Sequence, residues 1–266
     1  MPRVNRSEAD QQLVDEHGPD FSEALARGLR VITAFGVDSR QMTLADVARA
    51  VDLPRATVRR ALYTLERLGY VESDGRLFRL APKVLSIATA YLASNGVSGV
   101  LQRAVEKLAA ELNESCSAAI LDGQEIVLVA RAGPSRLLGV GLDVGSRLPA
   151  HCTSMGRVLL GALADQALRD VLRRSRPEPV TPYTLTESAG LRAAILRDRE
   201  RGYSLVDQEA EIGYRSLAVP VKRYDGTGVY ALNAGASIDR VSVDRMTRHF
   251  LPTLRRAAAE LGPLLV

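Results

Sequence analysis

The sequence predicts an α+β protein in two parts, an N-terminal winged helix-turn-helix followed by a larger antiparallel-sheet domain with helices on its faces. Three observations carry this. Residues 43–80 place two short amphipathic helices, a tight turn and a hairpin in immediate succession. Beyond residue 97, strand-like runs come mostly as hairpins instead of alternating singly with helices. A length of 266 residues also exceeds the usual single domain. The expected division is a disordered tail at 1–20, a winged helix-turn-helix at 21–82, a linker helix at 83–96 and a sensing and oligomerisation domain at 97–266.

Taken in order, residues 1–20 are polar and acidic without periodicity, which predicts disorder. Phe21, Leu25, Leu29, Ile32 and Phe35 form a helical stripe expected to pack behind the next two helices, and 36–41 is a loop. Thr43 with Asp46 resembles a capping box opening a helix that carries Leu44, Val47, Ala48 and Val51 on one side. Asp52, Leu53 and Pro54 break that helix, and proline suits the start of the next. The second helix sets Val58, Ala61, Leu62, Leu65 and Leu68 on one stripe. Tyr70 to Leu80 reads as two strands turned by Asp74-Gly75. After Pro82, residues 84–95 read as a connecting helix, with Leu85, Ala88, Tyr91 and Leu92 on one face and a stop at Asn95-Gly96.

The polar side of the second helix is rich in arginine. Arg55 and Thr57 sit in its first turn, with Arg59, Arg60, Tyr63, Thr64 and Arg67 beyond. Thr43 at the first helix start and Arg76 on the wing complete the candidate DNA contacts, and Arg79 is also on the wing. A solvated face is the ordinary reading of charge on a helix. Here little acid balances the arginines, and the three elements stand in the order of a DNA reader, whose arginines fork onto phosphates or guanine edges. Residues 21–80 hold ten arginines against seven acids, whereas residues 1–20 hold two against five. The positive excess therefore lies in the reader, and the partner it implies is double-stranded operator DNA.

The second part opens with a helix at 98–112. Strands follow at 116–122 and 124–131 through Asp122-Gly123, a third run at 137–142, and a loop at 145–150. A helix starts at Cys152 or Thr153 and runs to Leu163. Another spans 165–173, residues 175–186 make a proline- and threonine-rich excursion, and a helix at 188–201 stops at Gly202. Strands at 203–207, 216–224 and 228–234, the last two turned by Asp225-Gly226, precede a closing helix at 242–261 with a kink at Pro252.

His151 beside Cys152 invites a thiol-hydrolase reading, but neighbours in extended chain point apart and no third orienting group is evident. The helix start at Thr153, Ser154, Met155 and Gly156 offers N–H groups and a positive dipole end to a carboxylate. The ordinary alternative is that Thr153 or Ser154 serves only as the cap of its own helix. Leu142, Leu148 and Met155 supply an apolar wall for a ring.

Five segments together resemble the IclR family of transcriptional regulators: ARGLRVITAF (26–35), the helix-turn-helix, LFRLAPKVL (77–85), LPAHCTSMGRVLL (148–160), and RGYSLVDQE (201–209) with RSLAVP (215–220). The likeness runs from about residue 21 to the end. It is nearer the branch that controls aromatic-acid catabolism through the β-ketoadipate pathway, PcaR- and PobR-like proteins. The resemblance implies a GAF/PAS-like effector-binding fold for the second domain. It also implies an effector set of Cys152, Thr153, Ser154, Met155, Gly156, Glu209, Arg215, Ser216 and Asn233. Arg215 is expected either to neutralise an acid ligand or to pair with Glu209 or Glu211. Where many relatives carry serine, this chain reads Asn233, Ala234, Gly235, Ala236.

Other classes fit less well. No apolar run approaches membrane-spanning length and no charged-then-apolar leader opens the chain, so a cytoplasmic location and no membrane partner are expected. Two cysteines and three scattered histidines (His17, His151, His249) make neither a disulfide framework nor a metal spacing, and no phosphate-cradling glycine loop occurs, so no cofactor is expected. The reading is a regulator that binds operator DNA as a homodimer or dimer of dimers and responds to a small organic-acid effector. A hydrolase using Cys152 and a constitutive DNA-binding protein are the alternatives.

Overall fold

A computed structural model describes residues 18, 20–36, 39–87, 90, 97–134, 142–223 and 229–265. By contacts the chain forms two units, residues 1–91 and 92–266.

In the first unit, α1 (Glu23–Thr33) precedes β1 (Met42–Thr43), α2 (Leu44–Ala50) and α3 (Arg55–Arg67). Strands β2 (Val71–Ser73) and β3 (Leu77–Leu80) follow. The capping box is present: Asp46 N donates to Thr43 Oγ1 at 3.3 Å, and Thr43 N donates to Asp46 Oδ2 at 3.1 Å. Val47 and Ala48 of α2 and its C-cap Val51 join Val58, Leu62 and Leu65 of α3 in one core. Leu68 does not join them; it is the C-cap of α3 and 52% exposed. The stripe expected on α1 is also corrected, since Leu25 and Leu29 are 63% and 51% exposed. The helix docks instead through Val31 and Ile32 of its last turn and Phe35 just beyond its end. The wing is three-stranded, β1 pairing with β3 as β2 does. Asp74 Oδ1 accepts from Arg76 N and Leu77 N, an Asx turn that closes the hairpin. Of the expected linker helix, residues 82–84 form a 3₁₀ turn, and 88–89 and 91–96 lie outside the described residues.

The second unit is a six-stranded antiparallel sheet in the order β6-β5-β4-β9-β8-β7. Its strands are β4 (Ser115–Asp122), β5 (Glu125–Ala132), β6 (Arg147–Pro149), β7 (Ser204–Asp207), β8 (Tyr214–Lys222) and β9 (Val229–Ser237). The loop expected at 145–150 is corrected, because Arg147–Pro149 pairs with β5 as a three-residue edge strand. The expected run at 137–142 falls outside the described residues apart from Leu142, and the expected turn at 225–226 lies wholly outside them.

Alternation along the strands sends residues to two cores. Cys116, Ala118, Leu217, Val219, Leu232 and Ala234 face α4 (Val97–Leu112) and the C-terminal helix. Ala119, Ala218 and Ala231 face α5 (Ser154–Ala162), α6 (Asp165–Arg174) and α7 (Ser188–Arg201). Burying Phe250, Leu254, Leu191 and Ile195 contributes about 1.5–3 kcal/mol each relative to exposure.

The C-terminal helix has three parts: α8 (Val243–Arg245), a π turn at Met246–Phe250, and α9 (Leu251–Leu261). Pro252 lacks the N–H that would continue the ladder, and the π turn immediately before it absorbs that loss.

Candidate functional site

The first unit presents its arginine face to solvent. Arg55, Arg59, Arg60, Tyr63, Thr64, Arg67 and Arg76 are exposed, and Thr57 is half-buried. Pro54 gives α3 no side-chain cap and its first turn holds no acid, so that turn is electrostatically open to an anion. Arg67 lies over the Tyr63 ring at 5.1 Å, making one cationic and aromatic surface of the two. Arg79 is paired with Glu72 at 2.8 Å across the wing. Thr43, expected at the DNA, has its hydroxyl engaged in the α2 cap, where it donates to Asp46 Oδ2 at 2.6 Å.

In the second unit a polar cluster is buried between the sheet and the start of α5. Ser154 Oγ and Ser216 Oγ are 2.8 Å apart, and Asn233 Nδ2 donates to Ser154 Oγ at 2.9 Å. All three side chains are buried. They meet because Asn233 and Ser216 occupy the α5-facing positions of β9 and β8, while Leu232, Ala234 and Leu217 point to the other core. Met155 is buried beside them, and Leu142 and Leu148 pack partly buried against the same apolar cluster.

The helix start itself is largely occupied by the protein. Thr153 Oγ1 accepts from Gly156 N at 3.2 Å and donates to Pro149 O at 3.1 Å, so Thr153 is the cap. Gly156 is there for space: a Cβ on it would stand 2.1 Å from Ala150 O. Cys152 is buried, with Sγ 3.8 Å from Pro149 O as donor. Burial, with Glu209 adding to it, pushes this thiol up to about 11. His151 pairs through Nε2 with Glu178 O at 3.1 Å, and burial lowers its pKa. Among the described residues no base contacts the Cys152 thiol, as a hydrolase would need.

Two of the expected effector residues are engaged by protein groups. Glu209 is buried and ion-paired with Arg157 of α5 at 2.5 Å, and its carboxylate also accepts from Leu185 N at 3.1 Å. A carboxylate committed in this way is a strut for the loops around α5. Arg215 points to the opposite face of the sheet. It pairs with Asp207 at 3.0 Å and donates to Val241 O at 2.9 Å.

Sequence reasoning missed Arg157, which lies 52 residues before its partner. It also missed a row on the sheet. Arg131 faces Ser117 across β4–β5, and Ser117 faces Asn233 across β4–β9. The three share the α5 side, with Arg131 and Asn233 about 10 Å apart at two strand spacings. Arg131 is half-buried, and no carboxylate pairs with it among the described residues. Next to this row, the Tyr214 hydroxyl stands where a Cβ on Gly235 would be, within 1.6 Å. Burial raises the Tyr214 phenol, and the Arg131 charge acts to lower it. The departure at 233–236 therefore has a physical reason, because glycine there makes room for the tyrosine ring. A guanidinium, an amide, hydroxyls and an apolar wall on one face suit a small ligand that carries a carboxylate and a polar substituent.

Fold and sites define a winged-helix DNA-binding unit joined to a sensor-type sheet domain. Residues 24–75 match the profile of the IclR helix-turn-helix domain, and residues 89–262 that of the bacterial transcriptional regulator IclR C-terminal domain. The chain belongs to the IclR family of bacterial transcriptional regulators. It is 43% identical over 244 residues to the Pca regulon regulatory protein of Pseudomonas putida, covering 91% of this chain and 84% of that one. It is 34% identical to the p-hydroxybenzoate hydroxylase transcriptional activator of Acinetobacter baylyi, covering 92% and 93%. Its fold matches an IclR homologue complexed with 4-hydroxybenzoate from Microbacterium hydrocarbonoxydans, with TM-score 0.78, 25% identity, and 90% and 98% coverage.

Proposed function

We propose that this regulator controls an aromatic- or organic-acid catabolic operon in the cytoplasm. Its second unit senses a small carboxylate, and an aromatic acid such as 4-hydroxybenzoate fits best. Residues 21–82 are the reader, with Arg55, Thr57, Arg59, Arg60, Tyr63, Thr64, Arg67 and Arg76 toward operator DNA. Residues 83–96 connect it to the sensing part at 97–266. The observation that carries the ligand reading is Arg131, a half-buried guanidinium without a carboxylate partner among the described residues, in one row with Ser117 and Asn233. It supplies the positive charge expected of Arg215. Ser154, Ser216 and Asn233 suit the polar substituent, and Leu148 and Met155 the ring. The relatives named for the Pca regulon and for p-hydroxybenzoate hydroxylase support the pathway, and the homologue with 4-hydroxybenzoate supports the ligand.

Titration calorimetry on the full chain, with 4-hydroxybenzoate and its neutral amide, tests this. The acid is expected to bind at least about tenfold more tightly, as for a charge-assisted pair. Arg131→Met is expected to erase that preference, and Ser154→Glu to abolish binding by placing a competing anion in the site. Equal affinity of wild-type protein for acid and amide would refute the anion site.

A further inference from the structure

The two helices of the helix-turn-helix end in the same way. At the end of α2, Leu53 N donates to Ala48 O at 3.1 Å and Asp52 N to Arg49 O at 3.4 Å, with Asp52 at φ 48°. At the end of α3, Tyr70 N donates to Leu65 O at 2.8 Å and Gly69 N to Glu66 O at 2.9 Å, with Gly69 at φ 78°. Both are Schellman motifs, which satisfy carbonyls of the last turn and leave the cap carbonyl itself open. Those cap carbonyls belong to Val51 and Leu68.

Each accepts a hydrogen bond from a cation brought in from outside the helix pair. Arg30, in the last turn of α1, donates through Nη2 to Val51 O at 2.5 Å. Lys83, just after the wing, donates through Nζ to Leu68 O at 2.9 Å, and its ammonium lies 5.2 Å from the centre of the Tyr70 ring. Neither cation has a carboxylate partner among the described residues. A positive group at a helix C-terminus also meets the negative end of the dipole.

We infer that Arg30 and Lys83 are positioning residues of the DNA reader, one gripping the end of each helix. The inference rests on the DNA-reading role of α3 and deepens it. Only residues 51–54 separate α2 from α3, so the direction of the first turn of α3 follows from how α2 ends. Arg30 fixes that end to α1, which has little buried apolar surface of its own to define its angle. Lys83 fixes the far end of α3 beside the wing. Held at both ends, α3 offers its arginines as a set at fixed spacing. Base reading needs that spacing, whereas attraction to phosphates does not.

The test uses the full chain and a duplex it enriches from a random pool, with a scrambled duplex of equal length. Fluorescence anisotropy is read at several salt concentrations. Arg30→Met and Lys83→Met are each expected to weaken the selected duplex by about tenfold, the loss appropriate to a charged hydrogen bond. The scrambled duplex and the salt slope should stay as in wild type, and Arg30→Lys and Lys83→Arg should recover most of the affinity. A slope reduced by about one unit would make the residue a phosphate ligand and overturn the inference. Unchanged affinity overturns it too, as does parallel loss on both duplexes with loss of helical circular dichroism. If wild-type protein enriches no duplex, the reading role itself fails, and that result is distinct from the others.

Discussion

At Cys152 the chain places a thiol beside the buried carboxylate of Glu209, and at Cys116 a thiol sits at the centre of the sheet near Glu114. Burial dominates both, holding Cys152 at about 11 and Cys116 at about 12 against an ordinary 9.0. Above pH 9 an unfolded thiol has lost a proton that the folded one keeps. The folded state then binds more protons, so stability must fall as pH rises. Raising a pKa by one corresponds to about 1.4 kcal/mol, giving a loss of a few kcal/mol between about pH 9 and 12. Tyr214, raised by its own burial, adds to the same alkaline limb. Denaturant unfolding of Cys152→Ser across this range isolates one thiol and should show a shallower decline. A slope equal to wild type would mean that Cys152 titrates normally and is open to solvent.

The element that organises the sensing unit is α5, and its placement turns on a missing side chain. Gly156 lets the helix lie against the Ala150 backbone, and this seats Ser154 over Ser216 and Asn233. Gly156→Ala puts a methyl 2.1 Å from Ala150 O, and neither partner is a flexible side-chain end. The expected cost is about 1–3 kcal/mol, the range for overpacking, together with loss of effector binding. Thermal unfolding and calorimetry on this variant check both, and full stability with normal binding would show that α5 can shift. Elements like α5 are legible in the sequence because caps and periodicity are local: the Thr43 capping box, the Thr153 cap and the stop at Gly202 all stand in the structure. The short strands β1 and β6 are not, because two or three residues carry no period. Which of Arg215 and Ser216 faces α5 is half visible, since alternation puts them on opposite sides, but the sign needs the register with β9. The Arg157–Glu209 pair and the Arg131–Ser117–Asn233 row join residues far apart in the chain, and no local pattern announces them.

For the whole molecule the decisive property is how many readers act together. One winged unit spans a short half-site, and useful discrimination in a genome needs two such units on a near-palindrome. The surface left on the first unit suits that need. Leu25 and Leu29 stand one turn apart on α1, and Leu85 and Ile87 are 67% and 50% exposed where the linker begins. Apolar residues so exposed are costly in a monomer and are covered when a second copy packs on them. We therefore expect a homodimer at micromolar concentration, with association of dimers through the second units as the higher state. Sedimentation velocity should show it with and without DNA. Leu25→Glu combined with Leu29→Glu should release monomers and weaken a full operator far more than a half-site, because only the coupling between readers is lost. A wild-type protein that sediments as a monomer in both conditions would remove the dimer. The specificity would then have to come from a single reader helix and its wing.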